Sequence, residues 1–211
     1  MVSAGLSLGI GCSAIAVDPA SIVPLDRISE SHRERVLHVL GDVAAAVPLD
    51  GSVVRSRPEI YEFLLDEMPF TSDVVRALGR GEWRITRDPE DPDPASFTVL
   101  DPGGYVLRFD LVWKEPGRRV YLTRGSFNMG MLPRLEGSTV IEMRMEPGEE
   151  GVRTDATVYL RVETPVYSAL SKGFRSAVET RVKAKAGFFI QAARWVAEEA
   201  AARPDDLVRS A

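Results

Sequence analysis

The chain has 211 residues, 45% of them hydrophobic and 27% charged, with one cysteine and a net charge of −5. A single core at this length buries roughly 70% of the unfolded surface, so no covalent staple is required, and Cys12 alone supplies neither a disulfide framework nor a zinc site. An excess of acidic over basic residues gives no general attraction to nucleic acid, which is excluded as an expected partner.

Residues 2–17 are uncharged and rich in Gly, Ala and Ser, too short and too glycine-rich to span a membrane as a helix. Ala14 and Ala16 have the spacing that signal peptidase reads. Cys12, after Leu8-Gly9-Ile10-Gly11, loosely resembles a lipoprotein acylation site, although no basic stretch precedes it. Two readings stand for residues 1–20: a leader directing export, with or without a lipid anchor, or a disordered tail on a cytoplasmic protein.

Residues 21–50 read as a helical extension. Val36, Leu37, Val39, Leu40, Val43, Ala44 and Val47 recur at helical spacing, Ser29 or Ser31 can cap the start, and Pro48 follows, which predicts a helix over 30–47. Its charged start, Glu30 to Arg35, reads as solvated. His32 and His38 lie on this helix, turned about 240° from one another, off the shared face that a two-histidine metal site needs. No metal and no cofactor is expected.

The next segment predicts a short strand over 51–57, a helix from Glu59 to Met68 opened by Pro58 and broken by Pro69, and a second short helix capped by Thr71 or Ser72 and closed by Gly79. Six strands follow, over 82–88, 96–101, 104–115, 118–128, 137–146 and 152–163. Their joins are short and rich in Pro, Gly and Asp, as in Asp101-Pro102-Gly103-Gly104 and Glu115-Pro116-Gly117, which predicts hairpins and hence an antiparallel sheet. Tyr167 to Ala201, between Pro165 and Pro204, predicts one helix of about 35 residues and about 50 Å. Residues 201–211 read as a flexible tail.

Alternation assigns the inner side of three strands. Tyr105, Leu107, Phe109, Leu111 and Trp113 form one row, Thr139, Ile141, Met143 and Met145 a second, and Ala156, Val158, Leu160 and Val162 a third. For 118–128 the inner side stays open, because Val120 and Leu122 compete with Tyr121 and Phe127. The last helix carries a matching stripe of Leu170, Phe174, Val178, Val182, Phe189, Ala193 and Val196, with Lys172, Arg175, Glu179, Lys183, Arg194 and Glu198 opposite. The fold class is therefore α+β: a curved antiparallel sheet of six to seven strands wrapped around a long C-terminal helix, with two short helices after the first strand.

This order is the helix-grip arrangement, and residues 51–200, about seven tenths of the chain, resemble the START-like superfamily (SRPBCC, Bet v 1-like). That superfamily includes lipid-transfer START domains, plant Bet v 1 allergens and bacterial polyketide cyclases. The segment from Val53 to Asp66, with its Leu64-Leu65-Asp66 ending, looks like the superfamily's opening strand and first helix, and Lys185 to Val196 is similar to its closing helix.

The resemblance implies an apolar ligand in a tunnel between sheet and helix, a lipid or another hydrophobic small molecule, bound for transport, storage or sensing. The candidate lining is Tyr105, Leu107, Phe109 and Leu111, then Ile141, Met143, Ala156 and Val158, and on the helix Phe174, Val178, Val182 and Phe189. Arg181, at the margin of the stripe, could offer a guanidinium to a ligand carboxylate or phosphate. Small residues Ala156, Ala186 and Ala193 either leave space for a ligand or set a close helix-to-sheet contact. In Met129-Gly130-Met131-Leu132, the residues Met129, Met131 and Leu132 form a gate over the tunnel mouth, with transient membrane contact, or else plug the core.

Chemistry finds little support. No histidine belongs to the expected core, no phosphate-cradling glycine motif occurs, and Arg108 with Asp110, Glu142 with Arg144, and Arg153 with Asp155 read as surface ladder pairs. A cyclase or aromatase using the same cavity is the enzymatic alternative, with Tyr105, Arg124 and Tyr159 as candidates. A protein-interaction module with a filled core is the third reading.

Overall fold

A computed structural model describes residues 15–87, 90–91, 93, 95–127, 135–163 and 172–202. The elements in chain order are α1 (Pro19–Ile22), α2 (Glu30–Leu40), β1 (Ala45–Val54), α3 (Pro58–Asp66), α4 (Met68–Ala77), β2 (Arg84–Thr86), β3 (Ser96–Leu100), β4 (Val106–Glu115), β5 (Arg118–Phe127), β6 (Leu135–Gly148), β7 (Gly151–Val162) and α5 (Lys172–Ala202). Every strand pairing is antiparallel, in the order β1-β7-β6-β5-β4-β3-β2. The sheet curves around α5, whose 31 residues extend about 46 Å. The proposed leader with Cys12, the Met129–Leu132 loop and the tail lie outside the described residues, as does the Phe174 side chain.

The hairpins follow from glycines in the left-handed region. Gly117, at φ +73°, turns β4 into β5, and a Cβ there would stand 2.7 Å from the Met145 carbonyl oxygen. Only glycine meets both demands without strain.

Three local expectations change. The helix predicted over 30–47 stops at Leu40 with Gly41 as its cap, and the strand expected over 51–57 runs from Ala45 to Val54. Ala45 and Val47 point into the inner core opposite Leu160 and Val158, so pairing with β7 outweighs the helical periodicity of this segment. Ser29 caps α2 by accepting the His32 N–H. Pro69 occupies the first turn of α4 rather than ending a helix, and Thr71 and Ser72 do not cap it. The Thr71 hydroxyl donates to the Leu64 carbonyl at 2.6 Å, and the Ser72 hydroxyl accepts the Ile85 N–H at 3.2 Å. Both hydroxyls staple α4 to its neighbours.

Trp113 faces away from α5, against expectation. Leu111 opposes Tyr121 and Trp113 opposes Val120, so Val112 is an extra residue that flips the parity of everything after it. Trp113 joins a second core on the outer face of the sheet, where Val36, Val39 and Leu40 of α2 pack on Val120, Leu122 and Val140. The sheet thus lies between two apolar layers. This resolves β5: Tyr121 and Thr123 face α5, while Val120 and Leu122 face α2.

The outward charges correct the surface-pair reading at two of three places. Asp110 is 1% exposed and Glu142 5%, both beneath the N-terminal layer. Arg35 of α2 reaches Asp110 at 2.7 Å, so the start of that helix is engaged with the sheet. The Asp110 carboxylate accepts from Arg108 Nε at 2.9 Å and from the Ser96 hydroxyl at 2.8 Å. Burial alone would raise the Asp110 pKa, but these hydrogen bonds from Ser96, Arg108 and Arg35 outweigh it and hold the carboxyl below its ordinary 3.8. Arg118 spans Glu142 and the carbonyls of Ser21 and Ile22, fastening α1 to the sheet. Arg153 and Asp155 remain exposed as expected.

Candidate functional site

The inner face of the sheet meets α5 through aromatic rings. Phe189 stacks on Phe109 with centroids 5.1 Å apart and planes 2° off parallel, Phe97 stacks on Phe109 at 5.1 Å, and Tyr121 meets Phe189 edge-on at 6.0 Å. The Tyr121 hydroxyl donates to the Leu65 carbonyl at 3.4 Å. Burial pushes its pKa above the usual tyrosine range and pushes that of Tyr61 up to about 12, so both hydroxyls stay protonated.

Beside this cluster lies an apolar cavity of about 60 Å³. Of the residues proposed from the sequence, Tyr105, Leu107, Phe109, Ile141, Met143, Val158, Val182 and Phe189 line it. Leu111, Ala156 and Val178 belong to the same core without lining the cavity. Ala186 lines it, whereas Ala156 and Ala193 are buried in the inner core without lining it. Arg181 is exposed, and its Nη1 lies 3.4 Å from the Tyr105 hydroxyl.

Further residues complete the wall. Tyr121, Thr123 and Thr139 form part of the floor, and the two threonine hydroxyls hydrogen-bond each other at 2.7 Å. Thr139 stood on the inward row, but Thr123 was hidden by the undecided parity of β5. Trp83, Asp101 and Lys185 line the end nearest solvent. The Lys185 ammonium donates to Asp101 Oδ2 at 2.8 Å and sits 4.5 Å from the Tyr105 ring centroid and 5.8 Å from that of Trp83. These groups meet across 84 positions of sequence, a pairing that no local pattern signals.

The remaining enzyme candidates do not converge on this cavity. Tyr159 packs in the outer core, and Arg124 is exposed on the outer side. There it borders an open groove of about 660 Å³, shared with Arg35, Arg108, His38 and Glu163. Arg35 and Arg108 are engaged with Asp110, and His38 with Glu163.

A separate ion cluster fixes α3. Arg119, 3% exposed, donates to Asp66 at 2.9 Å and Glu62 at 2.9 Å. Asp66 of the Leu-Leu-Asp ending therefore anchors the helix to the β4–β5 hairpin. No described helix is long and apolar enough to cross a membrane.

No family model matches the chain, and no curated protein matches it. Solved structures similar to it include Ara h 8.0201, at 13% identity over 72% of this chain and 98% of that one, with a TM-score of 0.48. Protein CV1439 from Chromobacterium violaceum is 12% identical over 72% of this chain and 97% of its own, with a TM-score of 0.47. The di-domain ARO/CYC StfQ from the steffimycin biosynthetic pathway is 19% identical over 82% of this chain and 55% of its own, also at 0.47. Among the described residues, seven antiparallel strands with β1 beside β7, curved around one long C-terminal helix, form a helix-grip fold.

Proposed function

We propose that the chain binds a hydrophobic small molecule, of lipid or similarly apolar character, between the inner face of the sheet and α5, for transport, storage or sensing. The observation that carries this reading is the cavity itself: a carbon-lined space beside Phe189, bounded by residues of both the sheet and α5. At about 60 Å³ it is far below the ~300–1,000 Å³ of a drug-sized site, so binding requires Phe189 and the adjoining turns of α5 to move. Gly187 supports that movement. A Cβ there would meet nothing within 4 Å, so close packing does not demand a glycine, and its effect is to soften the helix beside the cavity.

The same small volume favours one rival reading, a filled-core protein that recognises other proteins through its surface. Titration with N-phenyl-1-naphthylamine, a neutral apolar fluorophore, separates the two. The carrier reading expects saturable one-to-one binding that Ala186→Leu, which fills the cavity, weakens at least tenfold while the melting temperature holds or rises. Absence of saturable binding, or full binding retained by the filled variant, overturns it.

A further inference from the structure

We infer that the occupant of this cavity carries an acidic group, and that Lys185 is its counter-ion at the cavity mouth. The inference rests on the ligand-binding reading above and adds the chemical class of the ligand.

Among the described residues, Lys185 is the one cationic side chain lining the cavity and Asp101 the one anionic, and they are paired at 2.8 Å. A cavity built only to hold hydrocarbon has no use for an ion pair at its edge, where desolvation costs both partners. The two partners differ in freedom. Asp101 is 8% exposed and held on a turn, its Oδ2 also accepting the Gly103 N–H at 3.2 Å. Lys185 is 28% exposed, on a flexible four-carbon stem, with three donors of which Asp101 takes one.

Lys185 also lies over two aromatic faces, Tyr105 and Trp83, which stabilise the ammonium without consuming its hydrogen-bond donors. Arg181, one turn earlier on α5 and 3.4 Å from the Tyr105 hydroxyl, adds a second positive charge at the same end. Lys185 and Arg181 against Asp101 give these three groups a surplus of one positive charge. A ligand whose apolar body enters beside Phe189 brings its polar end to this point, and a carboxylate or sulfonate there completes the shell of Lys185.

The test uses two probes of one skeleton, N-phenyl-1-naphthylamine and its sulfonated counterpart 8-anilino-1-naphthalenesulfonate, titrated at physiological salt. The sulfonate is expected to bind at least tenfold more tightly than the neutral compound. Lys185→Gln removes that preference and leaves the neutral probe within about twofold, whereas Lys183→Gln, the same charge change on an exposed position, leaves the preference intact. Asp101→Asn strengthens the sulfonate by freeing the ammonium. Equal binding of the two probes by the unaltered protein, or an equal loss of both in Lys185→Gln, overturns the acidic-ligand inference while the carrier reading stands. Binding of neither probe overturns both.

Discussion

On its inner face the sheet meets α5 through stacked rings that leave about 60 Å³ unfilled, with a few hydroxyls and one ion pair at the edge. On its outer face α1 and α2 cover Val120, Leu122 and Val140 to 1% exposure or less, and buried charges fasten the cover down. On the inner side the unfilled space lies within the apolar packing, whereas on the outer side the open space is the groove bordered by Arg124. Under the proposed binding role the inner face has to yield to a ligand, and full packing density throughout would oppose that, while the buried charges beneath α1 and α2 hold the outer layer in place.

Truncations of matched size measure that difference most directly. Leu40→Ala removes a side chain of α2 that is 2% exposed in the outer core and borders neither the cavity nor the groove, and should cost about 3–5 kcal/mol in urea unfolding. Ile141→Ala enlarges a space that already exists, beside atoms that already lack partners on one side, and should cost about 2 kcal/mol. Equal costs would mean that the inner face is packed as firmly as the outer.

The strands, their hairpins and the closing helix were legible because period-two alternation and Pro-Gly-Asp joins are local signals. The second layer was less so. Apolar residues on both parities of β5 are the mark of a sheet covered on both faces, and in an antiparallel sheet, where one wet face is the common case, they read as ambiguity instead. Trp113 was misassigned because one bulge residue, Val112, inverts a parity that alternation assumes constant. The hydrocarbon wall of the cavity followed from that alternation, while Lys185 with Asp101 and Thr123 with Thr139 depend on elements meeting in space.

The outer face also predicts an acid response. Arg108-x-Asp110 and Arg153-x-Asp155 share a spacing, yet Asp110 lies beneath α2 and Asp155 is exposed. Because the folded pKa of Asp110 lies below its ordinary value, its ionised form stabilises the fold; that contribution is complete above about pH 5 and disappears as pH falls below 4 through the folded pKa. Asp110→Asn should therefore cost about 1–3 kcal/mol at pH 7, and the gap from the unaltered protein should close on acidification. Asp155→Asn, at an exposed side chain, should change stability at pH 7 by no more than about 0.5 kcal/mol. A gap at Asp110 that stays constant from pH 7 to pH 3 would remove the ion cluster from the forces holding the outer layer.

The smallest effect, and the one that connects slack with function, lies in α5. Gly187 borders the cavity-lining turns on one side and Ala192, Ala193 and Val196, all buried, on the other. Gly187→Ala adds a methyl group to open space and removes backbone freedom from the unfolded chain, so it should stabilise the protein by about 0.5–1 kcal/mol. If softness at this point lets Phe189 and its neighbours yield, the same substitution should slow uptake of N-phenyl-1-naphthylamine in stopped-flow mixing, even as melting temperature rises. The opposing signs are the informative part: a variant more stable and equally fast would place the opening movement elsewhere than α5.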